Sequence, residues 1–174
     1  MLTVIGTVVA IVGTVVTTYL ALHNRPAPYR LADWAQSANS VCDSKRAQLG
    51  NDFSQVDNAT QEALTQQPPD IEAAARQMEA APDYYAVIIG GLRAIRVPDE
   101  RRADIEAAFR SAEELTRRYY ALADLIRQLN PDDVTAEPLR TQLSDAFDAV
   151  DQQWSALADA WRSLGATSCA IVPQ

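Results

Sequence analysis

Three consecutive stretches carry apolar residues in steps of three and four. The first runs Ile71, Ala74, Met78, Ala81, Tyr85, Ile88, Leu92, Ile95. The second runs Ile105, Ala108, Ala112, Leu115, Tyr119, Leu122, Ile126, Leu129, and the third Leu143, Phe147, Val150, Trp154, Leu157, Trp161, Leu164. Such steps draw a continuous stripe down one side of an α-helix. Each stripe must be buried against another element, so the pattern predicts helix packed on helix. Val97-Pro98-Asp99, Asn130-Pro131-Asp132 and Gly165 punctuate the stripes. Connections this short favour antiparallel neighbours.

Two less regular segments come before them. Leu31, Ala35, Ala38, Cys42 and Leu49 line one face of a helix predicted from about Leu31 to Leu49, with Gly50 as its stop. A shorter amphipathic segment follows, with Phe53, Val56, Ala63 and Leu64 on its apolar side, and Pro68-Pro69 ends it. The expected fold is therefore all-α: an up-down antiparallel bundle of four to five helices over residues 31–174, with no strand signal. Pro82 falls inside one stripe without changing its phase, which predicts a kinked helix or two helices in line. Gly90-Gly91 in the same stretch suits a close helix crossing and lacks the flanking residues of a phosphate loop.

Ahead of the bundle, Leu2 to Leu22 is uncharged and rich in Val, Ile and Thr. A span needs roughly 20 apolar residues, so residues 1–22 read as one transmembrane anchor. A cleaved signal peptide is the alternative; it calls for a basic leader and a small-x-small site that this segment does not offer. At 100° per residue, Thr3, Gly6, Ala10, Gly13 and Thr17 share one arc, and Val8, Val12, Val15 and Val16 lie on the other. Small residues let helices approach closely in lipid, so that arc is expected to pack on a partner's span or on a second copy. Residues 23–30 form a linker stiffened by Pro26 and Pro28.

The chain holds one histidine, His23, next to the expected membrane surface. Ser-His-Asp and Cys-His devices, zinc clusters and Glu-x-x-His di-metal sites have no residues to build on. Haem ligation by His23 or Met78 has no supporting motif. A net charge of −8 disfavours nucleic acid. The acids Asp145, Asp148, Asp151 and Asp159 lie opposite the apolar stripe of their helix, as a solvated face does. No enzyme, cofactor or metal is expected. Tyr85, Tyr119, Phe147, Trp154 and Trp161 are expected in the core. Lys45 is the sole lysine among many arginines and alanines, a bias of GC-rich coding that points to a bacterium.

Cys42 lies on an apolar helix face, and Cys169 sits in the aperiodic tail after Gly165. An even cysteine count in an exported domain favours pairing. The disulfide would lay the tail across Ala38, Val41 and Lys45. It also favours an extracytoplasmic bundle, against Arg25 and Arg30, which on charge alone would keep it inside. The functional expectation is a non-enzymatic, membrane-anchored interaction module of the bacterial cell envelope. It would meet another protein through its bundle surface or its span. The alternative is a ligand-sensing bundle acting through a partner.

Overall fold

The computed structural model describes residues 29–130, 132 and 139–171. The anchor expected over 1–22, with its packing arc at Thr3, Gly6, Ala10, Gly13 and Thr17, lies outside them. Among the described residues no helix is long and apolar enough to cross a membrane.

The described residues form four α-helices: α1 (Leu31–Thr65), α2 (Ile71–Arg93), α3 (Arg102–Arg127) and α4 (Leu139–Ser163). Single 3-10 turns occupy Asp99–Arg101 and Thr167–Cys169. Neighbours in sequence are neighbours in space: α1 packs on α2, α2 on α3, and α3 on α4. Their partners fix the directions. Arg93 near the end of α2 reaches Glu113 on α3, while Glu72 and Glu79 in the first half of α2 meet Arg127 at the end of α3. The helices are antiparallel, as short connections require.

α1 differs from expectation. It is one helix of 35 residues, roughly 52 Å at 1.5 Å per residue, and it runs straight through Gly50. The buried residues Cys42, Leu49, Phe53, Val56, Thr60 and Ala63 keep one phase across that glycine. A single glycine in a helix costs only about 1 kcal/mol, which a continuous buried stripe outweighs. The true stop lies at Pro68-Pro69. There the Asp70 amide donates to the Ala63 carbonyl (2.9 Å), and the Asp70 carboxylate accepts the Ala73 amide (2.9 Å), capping α2.

α2 is likewise unbroken through Pro82, and Ala74, Met78, Ala81, Tyr85, Ile88 and Leu92 are buried on one stripe. Gly91 is where α1 and α2 close on each other. A Cβ there would stand 2.8 Å from Cγ1 of Val41, whereas a Cβ at Gly90 would meet nothing. Gly165 ends α4 with φ 77°. The Ala166 amide donates to the Trp161 carbonyl and the Gly165 amide to that of Arg162 (both 3.0 Å), the paired bonds of a Schellman cap.

The core is aromatic at its centre. Trp34, Trp154 and Trp161 are essentially unexposed, and Tyr85 and Tyr119 are buried with them. Phe147 is not: 42% of it faces solvent. At the start of α4 the stripe can continue from Val150 either three or four residues back. The bundle takes Ala146 and Leu143, both half-buried, and Phe147 is turned off the edge.

Candidate functional site

The tail is the feature that closes the molecule. Cys42 and Cys169 are bonded, with Cα atoms 5.1 Å apart across a sequence separation of 127. Polar contacts flank the bond. Asn39 grips the tail twice, donating from Nδ2 to the Gly165 carbonyl (3.0 Å) and accepting the Ser168 amide at Oδ1 (2.8 Å). Arg46 donates to the Ser168 carbonyl at 2.9 Å. The tail therefore runs along the Asn39–Cys42–Arg46 side of α1. Its sulfur lies 3.4 Å from the Ala38 carbonyl oxygen, as expected of a tail over Ala38. Val41 and Lys45 face elsewhere: Val41 closes on Gly91, and Lys45 lines a groove with Asp83 and Tyr84. On a helix they lie on the opposite flank of Cys42 from Asn39 and Arg46, Lys45 by about 60° and Val41 by about 100°. The 3-10 turn at Thr167–Cys169 packs on both α1 and α4.

Beneath the tail, α1 and α4 meet through rings. Trp34 stacks on Trp161 at 6.3 Å, and Phe53 sets its edge to Trp154 at 5.4 Å. Two indole–phenol hydrogen bonds tie α4 to its neighbours: Trp161 Nε1 donates to Tyr85 Oη (2.9 Å) and Trp154 Nε1 to Tyr119 Oη (3.0 Å). Buried Trp and Tyr need such partners for their polar tips. Burial pushes the Tyr119 hydroxyl up to about 12 and raises Tyr85 further. These side chains are fixed by packing and by each other, as core residues are.

Among the depressions lined by described residues, two lie between neighbouring helices. Lys45, Leu49, Asp52, Asp83, Tyr84, Val87 and Ile88 line a groove of about 120 Å³ between α1 and α2, where Val87 is 60% exposed. Between α2 and α3 a cleft of about 290 Å³ opens beside Pro82, Gly90 and the Arg93–Glu113 pair.

Several surface carboxylates are paired with arginine. Arg127 gathers Glu79 (2.7 Å), Glu72 (3.3 Å) and Asp124 (3.3 Å), and its hydrogen bonds hold Glu79 below the usual carboxylate range. Arg102 does the same to Asp99 at 2.6 Å. Asp57 is pushed the other way, by partial burial and then by the nearby charge of Asp151 across the α1–α4 seam.

The end of the bundle that carries the first turn of α1 is composed differently. Tyr29, half-buried, packs under the Arg96 guanidinium at 5.5 Å. The Leu31 amide donates to Glu100 (3.1 Å) and the Arg30 amide to Asp33 (2.8 Å). Arg101 pairs with Asp104 and Arg102 with Asp99. Every carboxylate here is thus engaged by a backbone amide or an arginine. Among the described residues, the Arg30 and Arg96 guanidiniums form no ion pair.

Comparison with family models, with curated proteins and with solved structures finds no match. Sequence reasoning located both cysteines and four of the five aromatic core positions. It missed Asn39 and Arg46 as holders of the tail. Asn39 follows Ala38 on the flank of the stripe, and nothing in its spacing distinguishes it from a solvated residue.

Proposed function

We propose that this chain is a membrane-tethered helical interaction module. Its bundle stands outside the cytoplasm, closed by Cys42–Cys169, and presents its surface to a protein partner in the bacterial envelope. The observation that carries this is the fastened tail. A pair at 5.1 Å between Cα atoms, backed by three polar contacts to the same short segment, is a built closure rather than two stray thiols. Structural disulfides persist in oxidising compartments. The charges of Arg25 and Arg30 point inward, but long domains translocate largely regardless of such charges.

Two further observations favour interaction over chemistry. At the centre, the polar tips of Trp154, Trp161, Tyr85 and Tyr119 satisfy one another, while the buried Trp34 indole N–H has no hydrogen-bond partner among the described residues. Several of the surface acids are tied to arginines. The cleft beside Pro82 is the specific feature behind a second reading, a ligand-sensing bundle; at about 290 Å³ it sits at the lower edge of small-molecule sites.

The test is thiol labelling in the native host, followed by cross-linking in native membranes. The expected result is no label on Cys42 or Cys169 until reductant is added, and one discrete cross-linked protein species. Two thiols labelled without reductant would return the bundle to the cytoplasm. Cross-links only within the chain, together with a stabilising small molecule in the Pro82 cleft, would favour sensing.

A further inference from the structure

We propose that the α1–α4 seam at Asp57, Thr60, Phe147 and Asp151 receives an arginine side chain of a protein partner. The proposal rests on the interaction-module reading and names the chemistry of its contact.

Register brings the four residues together. α1 and α4 run antiparallel, and Phe53 sets its edge to Trp154. Asp57 follows Phe53 by one turn and Asp151 precedes Trp154 by nearly one, so their carboxylates stand level across the seam. One turn further along, Thr60 is level with Phe147. Thr60 lies eighteen residues after Cys42, which is about five full turns, so both point the same way from α1. Cys42 points to the tail, which packs between α1 and α4. Thr60 therefore faces the same seam. It is 5% exposed, and its hydroxyl has no hydrogen-bond partner among the described residues.

The two acids have no cation. Neither Asp57 nor Asp151 forms an ion pair among the described residues, and the charge of Asp151 adds to the burial that pushes the Asp57 carboxyl up. Exposed Asp148 deepens the negative field beside them. On this flank Arg46 is eleven residues from Asp57 and Arg140 eleven from Asp151, each about 16 Å along its helix. Elsewhere this chain's own arginines answer Glu79, Asp99, Asp104 and Glu113. Like charges held face to face disfavour each other until a cation joins them. The exposed ring of Phe147 selects which cation. A guanidinium offers five N–H donors in one plane, enough to bridge two carboxylates and a hydroxyl, and its face stacks on an aromatic ring. An ammonium answers the charge without that planar fork.

The test titrates the full chain, in detergent micelles of no net charge, with acetyl-Gly-Arg-Gly amide and with its citrulline counterpart, which keeps the shape and loses the charge. The expected result is NMR shifts at residues 57–60 and 147–151, and an Asp57 carboxyl that titrates at lower pH with the arginine peptide bound. The citrulline peptide should do neither. Asp57→Asn with Asp151→Asn should weaken arginine-peptide binding about tenfold. Asp145→Asn with Asp159→Asn makes the same charge change on the outer side of α4 and should alter it by under about twofold. The site variant relieves a repulsion, so it stays folded, and its unfolding midpoint should be no lower than the parent's. Equal binding of the two peptides, or equal loss in the two double variants, overturns the arginine site. Free arginine binding more tightly than the peptide overturns docking in favour of a small cation. A parent dimer that dissociates in the site variant overturns it in favour of a second copy. In native membranes, a cross-linked partner retained by the site variant overturns the site and leaves the module standing. No cross-linked partner from the parent overturns the module reading itself.

Discussion

Replacing Trp161 with Ala tests the aromatic centre, and the structure says why the cost should exceed that of a cavity. The ring is unexposed, stacks on Trp34, sets its edge to Phe109 at 5.7 Å and donates to Tyr85. Truncating a large buried aromatic costs about 3–5 kcal/mol. The Tyr85 hydroxyl, also buried, then loses its partner, which adds roughly 1–3 kcal/mol. A loss of about 5 kcal/mol approaches the whole stability of many domains, at roughly 5–15 kcal/mol. In a urea titration with m of about 2 kcal/mol per molar it moves the midpoint by roughly 2.5 M. The second mutation is more telling. In the parent chain Tyr85→Phe strands the Trp161 indole N–H and destabilises by about 1–3 kcal/mol. In the Trp161→Ala background it removes an orphaned hydroxyl and is neutral or stabilising. Equal costs of Tyr85→Phe in the two backgrounds would refute the hydrogen-bond argument, and a Trp161→Ala midpoint near the parent's would refute the burial argument. Phe147→Ala, at an exposed position, serves as the control and should cost under about 1 kcal/mol.

Four further outcomes are expected. Removing the disulfide with Cys42→Ala and Cys169→Ala should lower stability by up to about 5 kcal/mol, measured by denaturant unfolding beside the reduced parent. Gly50→Ala should stabilise by roughly 0.5–1 kcal/mol, since its Cβ meets nothing in an exposed helix, while Gly91→Ala should destabilise by about 1–3 kcal/mol as its Cβ meets Val41; thermal melts of the pair decide it. Because folding raises the Asp57 pKa, the native state binds its proton more tightly than the unfolded chain, so this group's contribution falls as pH rises through the unfolded carboxylate range; Asp57→Asn should stabilise at pH 7 and give no gain at pH 3. In the proposed anchor, Gly6→Leu with Gly13→Leu should weaken association in a membrane two-hybrid assay, and Val8→Ala with Val15→Ala should not.

Much of the fold was legible because the stripes of α2, α3 and α4 are long and regular, and their stops are chemically explicit at Pro98, Pro131 and Gly165. α1 was misread at Gly50 because a local stop signal was weighed without the tertiary burial that overrides it. Phe147 was misplaced for a related reason. Steps of three and of four are equally helical, and only the packed neighbours choose between Ala146 and Phe147. The cysteine pairing could be inferred from count and position. The polar holders of the tail could not, since Asn39 and Arg46 reveal their role only once residue 168 is beside them. At the α1 end, the sequence shows arginines and carboxylates in similar number; which of them neutralise one another is a matter of geometry alone.

The closure at Cys42–Cys169 also has a mechanical consequence. A tether at one end and a grip on the C-terminus would transmit tension through the chain. That tension enters α1, crosses at Cys42 and leaves through Cys169, so the residues between them bear none of it. A separation of 127 residues, roughly 420 Å of extended chain, stays hidden from the load. Pulled in an oxidising compartment, the molecule behaves as a short strap with a protected pack; once reduced, it becomes a long extensible one.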